Sequence, residues 1–203
     1  VYKRQIIRNA TRIMNRMDNS PYDFVINHEA SDLQVFDDFV HRTFNAEDLK
    51  YFIRKLQEIY KEGSLEDHFI PKEEAINLKE NFENFHTYFF NESPLKHRTR
   101  KHIANPGKGS SAKRLCMYLR WMVRPSDTGV DFGVWDQVSL AKLSCPLDVH
   151  TGNVGRSLGF ISRKANDWKS VEELDAHLRK FDPHDPVKYD FALFGLGVDE
   201  GWK

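Results

Sequence analysis

Apolar residues in the first part of the chain recur every three or four positions, the period of a helix with one buried face. Ile6, Ile7, Ala10, Ile13, Met14 and Met17 define a first amphipathic segment, ended by "DNSPYD", which reads as a core helix. "SPYDFVIN" follows with a Ser cap, a Pro in the first helical turn and room for a short helix. From Ala46, the residues Leu49, Phe52, Ile53, Leu56, Ile59 and Tyr60 form a longer stripe that Gly63 stops, and acidic residues near its start suit the helix dipole. "SLEDHF" approaches a capping box, and "PKEEAINLKENFENFHTYFF" continues as one long helix whose Phe82, Phe85, Phe89 and Phe90 are assigned to packing. Later, "SVEELDAHLRKF" predicts an amphipathic helix capped by Ser170. "DPHDPVKYDFALFGLGV" then puts Pro186 in the first turn of an apolar helix closed by Gly195 and Gly197. No run alternates long enough to predict a strand, so the fold class is all-α.

With 203 residues the chain can build one good-sized core or two small packed lobes. No run approaches the roughly 18 apolar residues of a membrane helix, and the start "VYKRQIIRN" lacks both an initiating Met and a secretory core. The expectation is a cytoplasmic protein without membrane association, whose N-terminal portion is missing from this sequence. Cys116 and Cys145 could pair, but Cys116 falls in a helical apolar pattern that favours a buried free thiol. Two Cys cannot form a four-thiolate site, and the nine His show no H-x-x-x-H or H-x-H spacing, so no metal or cofactor is expected.

Charge changes the picture. The formal total is zero, yet Asp18 to Glu92 holds 17 acidic against 7 basic residues, a balance of −10, while Ser93 to Ser126 holds nine basic residues and no acidic one. The predicted organisation is therefore an acidic helical lobe over residues 1–92 and a second lobe over 93–203 that carries the basic helix. Such asymmetry points to an anionic partner at the basic region; the alternative is that the two regions neutralise each other internally.

"NPGKGSS" supplies Pro106 to set one backbone angle, Gly107 and Gly109 to permit conformations closed to other residues, and then a fresh helix start. Backbone N–H groups gathered there, with the dipole behind them, suit a phosphate oxygen; the same residues also serve ordinary helix–helix turns. Further on comes "PLDVHT", Pro146 to Thr151, before the helix-like "GNVGRSLGF". By residue type Asp148 reads as a helix cap, Arg120 and Arg124 as a solvated face one turn apart, and Trp121 and Trp135 as packing residues.

Taken in order, the Pro-Gly-x-Gly turn, the basic helix and "LDVH" resemble the helix-hairpin-helix (HhH-GPD) DNA glycosylase superfamily over about Lys101 to Phe160. "PGKGSSAKRLCMYLRWMVR", "PLDVHTGNVGRSLGF" and "DPVKYDFALFGLGV" are more closely similar to an uncharacterised bacterial family remotely related to those glycosylases. The resemblance implies a helix-hairpin-helix fold and double-stranded DNA as partner. In it Asp148 takes the place of the carboxylate that stabilises the sugar cation as a flipped base departs. Gly107, Gly109 and Ser111 match phosphate-facing positions, with Lys108, Lys113 and Arg114 as nearby cations and His150 near the DNA backbone. Ser111 stands where the lyase branch carries its amine nucleophile, the span from Gly109 to Asp148 is longer than usual, and the family's four-Cys cluster loop is absent. The implied activity is monofunctional base excision. The alternatives are a nucleic-acid-binding protein without chemistry and a partner-binding scaffold.

Overall fold

The computed structural model describes residues 2–91, 98–125 and 129–202. Eight α-helices are found among them: α1 (Tyr2–Arg16), α2 (Pro21–Asn27), α3 (Ala46–Glu62), α4 (Lys79–Phe89), α5 (Lys113–Val123), α6 (Val149–Ser157), α7 (Trp168–Phe181) and α8 (Asp190–Val198). The chain is mostly helical, with one departure from the all-α expectation. Val40–His41 (β1) and Phe44–Asn45 (β2) pair antiparallel around a tip where Arg42 takes a left-handed φ of 56°. Two-residue strands are too short to leave an alternating pattern in sequence.

The chain divides into two compact units, Val1–Asp67 with Leu95–His102, and His68–Pro94 with Ile103–Lys203. The predicted lobe boundary after residue 92, like Lys96 of the basic segment, lies outside the described residues.

The first unit is built on Met17, Val25, Leu33, Phe36, Phe39, Leu49 and Ile53, with Ile13, Met14, Phe24, Phe44, Leu56 and Tyr60 packed around them. α1 is thus a core helix only in its last turns: Ile6 is 50% and Ile7 60% exposed, because the body of the unit lies against the other end. α3 opens with a reciprocal capping box, in which Asn45 Oδ1 accepts from Asp48 N at 3.1 Å and Asp48 Oδ2 accepts from Asn45 N at 3.0 Å. Asp48 is fully buried and also accepts from Thr99 Oγ1 at 2.7 Å, while Arg98 stands 3.1 Å and His102 Nε2 3.3 Å away. This carboxylate ties residues 98–102 to the start of α3. Burial works against its charge, but the Asn45 amide, the Thr99 hydroxyl and the Arg98 cation keep its pKa below the ordinary value.

In the second unit, Phe82, Phe85, Phe89 and Phe90 are buried, as their spacing predicts. The long helix expected from Pro71 begins only at Lys79. Upstream of it, Lys142 Nζ takes the carbonyls of Glu73 and Ala75, and Asn77 Oδ1 accepts from Lys79 N at 3.0 Å, so backbone groups a helix would use are bonded elsewhere. α7 is capped by Asp167, which accepts from Ser170 N at 3.0 Å, rather than by Ser170, whose hydroxyl donates to the Ala165 carbonyl at 2.5 Å. Pro186 does sit in a first turn, a 3-10 turn ahead of α8, but Gly195 and Gly197 lie inside that helix instead of closing it. Trp135 stacks on Phe69 at 5.8 Å and meets Tyr118 edge-on at 5.6 Å, the packing role expected of it.

Replacing Asp48 with Ala would leave its donors without an acceptor in a buried place. Urea denaturation of Asp48→Ala is expected to show the first unit destabilised by about 3 kcal/mol; a loss below about 0.5 kcal/mol would contradict the account of this carboxylate as its organising group.

Candidate functional site

The Pro-Gly-x-Gly segment forms a 3-10 turn, Pro106–Lys108, followed by a short link into α5. Asn105 Oδ1 accepts from Gly107 N at 2.9 Å, and the amides of Lys108 and Gly109 donate to the Asn105 and Pro106 carbonyls at 3.1 and 2.9 Å. Gly109 has a φ of 84°, the conformation for which the glycine is needed. Two of the amides expected to face a phosphate, those of Gly107 and Gly109, are therefore satisfied within the turn itself. The Glu83 carboxylate stands beside the turn, such that a Cβ at Gly107 would lie 3.1 Å from it.

α5 begins without a capping side chain: its N-cap residue is Ala112, buried, with a left-handed φ of 49°. Its first amides are left open by geometry, as at any helix start. The start of α6 lies against it. Lys113 Nζ, on the first residue of α5, donates to Asp148 Oδ2 at 2.9 Å, and Ser111 Oγ donates to the Leu147 carbonyl at 3.4 Å.

Asp148 is the N-cap of α6, its Oδ1 accepting from Thr151 N at 2.9 Å, as its residue type predicts. Its carbonyl accepts from Asn166 Nδ2 at 3.1 Å, tying α6 to the segment before α7. The pair remains reachable from solvent, with 39% of the Lys113 side chain and 15% of the Asp148 side chain exposed. Burial raises the cost of the Asp148 charge, yet the Thr151 amide and Lys113 outweigh it and hold the carboxyl below its ordinary pKa. At neutral pH this is a carboxylate beside an ammonium.

Beneath the pair lies a buried ion network. Arg120 of α5 donates to Asp190 at the start of α8 at 2.6 Å, stands 3.3 Å from Asp131, and lies 4.0 Å from the centre of the Phe191 ring. Arg124 pairs with Asp131 at 2.7 Å and with Asp185 at 2.8 Å. The solvated face expected of Arg120 and Arg124 is thus an internal junction, because three aspartates from later in the chain come to meet it. Burial pushes the Asp190 carboxyl up, Arg120 pulls it down, and the nearby Asp148 charge adds to the rise.

His150 is exposed on the first turn of α6, edge-on to Phe194 at 5.8 Å. α8 approaches so closely that a Cβ on Gly197 would lie 2.9 Å from His150 Cβ. Lys108 and Arg114 are exposed and carry no ion pair among the described residues. The structure thus brings Ser111, Lys113 and Asp148 together and sets Gly107, Lys108 and Gly109 in the turn that precedes them. Sequence reasoning assigned Lys113 to phosphate and missed it as the partner of Asp148; no spacing rule links two residues 35 apart. The aspartate-bearing stretches around Asp131 and Asp185 were the available signal for the arginine network.

Cys116 and Cys145 are both buried free thiols, and burial pushes each well up. Cys145 N donates to Asp175 Oδ1 at 2.9 Å. Burial drives the Asp175 carboxyl up to about 6 from 3.8, against the opposing pull of Arg179 and the Cys145 amide. Since the folded value exceeds the unfolded one, ionising Asp175 costs stability: stability falls as pH rises from about 4 to about 6 and stays lower beyond. Asp175→Asn keeps an acceptor for Cys145 N–H and removes that charge. Its stability relative to the parent is expected to improve on the order of 2 kcal/mol between about pH 4.5 and pH 7.5 in chemical denaturation; a difference independent of pH would contradict this.

Among the described residues, no three His, Cys, Asp or Glu side chains are placed to hold a metal ion, and no helix is long and apolar enough to cross a membrane. No curated protein and no solved structure matches the chain. Its residues 2–199 match DUF2400, described as a protein of unknown function, and the chain belongs to that family.

Proposed function

We propose that the protein binds duplex DNA through the Pro106–Gly109 turn and the start of α5, and hydrolyses the N-glycosidic bond of a flipped base with Asp148 as the catalytic carboxylate. The observation that carries this reading is the Lys113–Asp148 pair, 2.9 Å apart and open to solvent, where two helix starts meet directly after the turn. The resemblance of that turn and of "LDVH" to the helix-hairpin-helix glycosylases supports the same reading and suggests their fold for the second unit.

In this mechanism the base leaves with the electron pair of the C1′–N bond, and positive charge grows on the deoxyribose. A fixed anion in a partly desolvated site stabilises that charge far better than it would in water. Water adds its oxygen to C1′ and gives up a proton, which Asp148 accepts and returns to solvent or to the departing base. The Thr151 amide and Lys113 together favour the ionised form of Asp148 in the free protein. When a nucleotide enters, its phosphate offers the ammonium a second anion and frees one carboxylate oxygen for the sugar. Lys108 and Arg114, exposed and without ion pairs among the described residues, contact neighbouring phosphates.

A second reading has its own support. Both Asp148 oxygens are engaged, one by Thr151 N and one by Lys113, which fits a capping aspartate in a DNA-binding protein without chemistry. Single-turnover base release from duplexes with one damaged or mismatched base separates the two. The parent is expected to release a base, and Asp148→Asn to release it at least ~100-fold more slowly with DNA affinity preserved. Binding without release on every duplex would overturn the enzymatic reading. Borohydride trapping of a covalent DNA adduct, lost in Lys113→Ala, would replace hydrolysis by amine attack from Lys113.

A further inference from the structure

α1 carries Lys3, Arg4, Arg8, Arg12 and Arg16 and no acidic residue over its 15 positions. The four arginines recur at every fourth residue, which places them in one row along the helix with steps of about 6 Å. This row is not the face that packs: Ile13, Met14 and Met17 are taken up by the core of the first unit and fix the helix there. Beside the row lies an open groove of about 580 Å³ lined by Arg8, Asn9, Thr11, Arg12, Asn15 and Arg16.

Only half of the row has a carboxylate partner, and that half shares one. Arg12 and Arg16 both reach the exposed Asp38, Arg16 at 2.6 Å, and their hydrogen bonding and charge hold that carboxyl below its ordinary pKa. Arg4 and Arg8 are exposed and have no carboxylate partner among the described residues. The neighbouring β1–β2 hairpin adds to the positive face. Asn9 bonds His41 across 2.7 Å, which ties α1 to the hairpin, and Arg42 occupies the tip. Arg98 donates to the Thr43 carbonyl at 2.9 Å on the same hairpin.

We infer that this arginine row is a second nucleic-acid surface, on the first unit, that binds the phosphates of a DNA backbone. A row of regularly spaced cations is complementary to the regular run of anions along a nucleic-acid backbone. Arginine, with its planar fork of donors, fills four of the five basic positions and suits bidentate phosphate contacts. An anionic lipid surface is the poorer match, because a helix lying on a membrane needs an apolar face free to insert, and here that face is used by the protein core, leaving Ile6 and Ile7. Asp38 acts as a built-in competitor, holding Arg12 and Arg16 until phosphate displaces it. The inference takes duplex DNA as its ligand from the proposed function and is independent of base release.

The test is the salt dependence of binding of the full chain to an undamaged duplex of about 20 base pairs, read by fluorescence anisotropy, with thermal melting as the check on folding. Arg4→Ala with Arg8→Ala is expected to weaken binding several-fold and to reduce the slope of log K against log salt by about 2. Asp38→Asn is expected to strengthen binding, an outcome that misfolding cannot produce. Lys108→Ala with Arg114→Ala reports separately on the Pro106–Gly109 turn and the start of α5. Unchanged affinity and slope in the α1 double variant would overturn the inference even if the turn variant loses binding; the reverse pattern would uphold it and remove the turn from the DNA interface. Absence of duplex binding by the parent would overturn both. Loss confined to vesicles containing phosphatidylserine would reassign the row to a membrane.

Discussion

An arginine cannot sit in an apolar interior unless anions and acceptors surround it, since an unpaired buried charge costs several kcal/mol. Arg120, 4% exposed, meets that constraint with Asp190 and Asp131, and Arg124 extends the set to Asp185. The consequence is geometric. α5, the connection that follows it, the turn at Pro186 and the start of α8 must all come to one place for each arginine to meet its carboxylates. Apolar packing alone would tolerate small shifts among these elements, whereas bonds of 2.6 to 2.8 Å between arginines and carboxylates do not.

The candidate site inherits its precision from that junction. α8 is anchored at Asp190 and passes close enough to α6 that Gly197 faces His150 without room for a side chain. α6 in turn is anchored by Asp148, which caps it and binds Lys113 of α5. Charge contacts set where the ends of these helices stand. Asp148 and Asp190 also sense one another, so the reachable carboxylate and the buried network form one electrostatic system.

The first unit uses the same device on a smaller scale. Asp48 joins the capping box of α3 to Thr99, Arg98 and His102, so a single buried carboxylate gathers a segment that is distant in sequence. The basic segment thus finds its anions in two ways. Arg98 meets an aspartate of the acidic region, while Lys113, Arg120 and Arg124 meet aspartates that follow them. Lys101, Lys108 and Arg114 are exposed and belong to the charge this segment presents to solvent.

Helix existence was legible in the sequence because a 3.6-residue period is a local property. α3 between Asn45 and Gly63 and the buried phenylalanines of α4 follow directly from spacing and capping. The capping role of Asp148 was legible for the same reason, since a cap is decided within four residues. Where elements begin was decided by competition that local patterns do not contain: the segment before Lys79 gives carbonyls to Lys142, and β1 and β2 exist only because two short stretches find each other. The pairing of Lys113 with Asp148, and of Arg120 and Arg124 with three aspartates, belonged wholly to the tertiary structure. Composition records that charges of both signs are present, but which ones meet depends on chain segments 7 to 70 residues apart being folded together, and only the folded backbone brings them within reach.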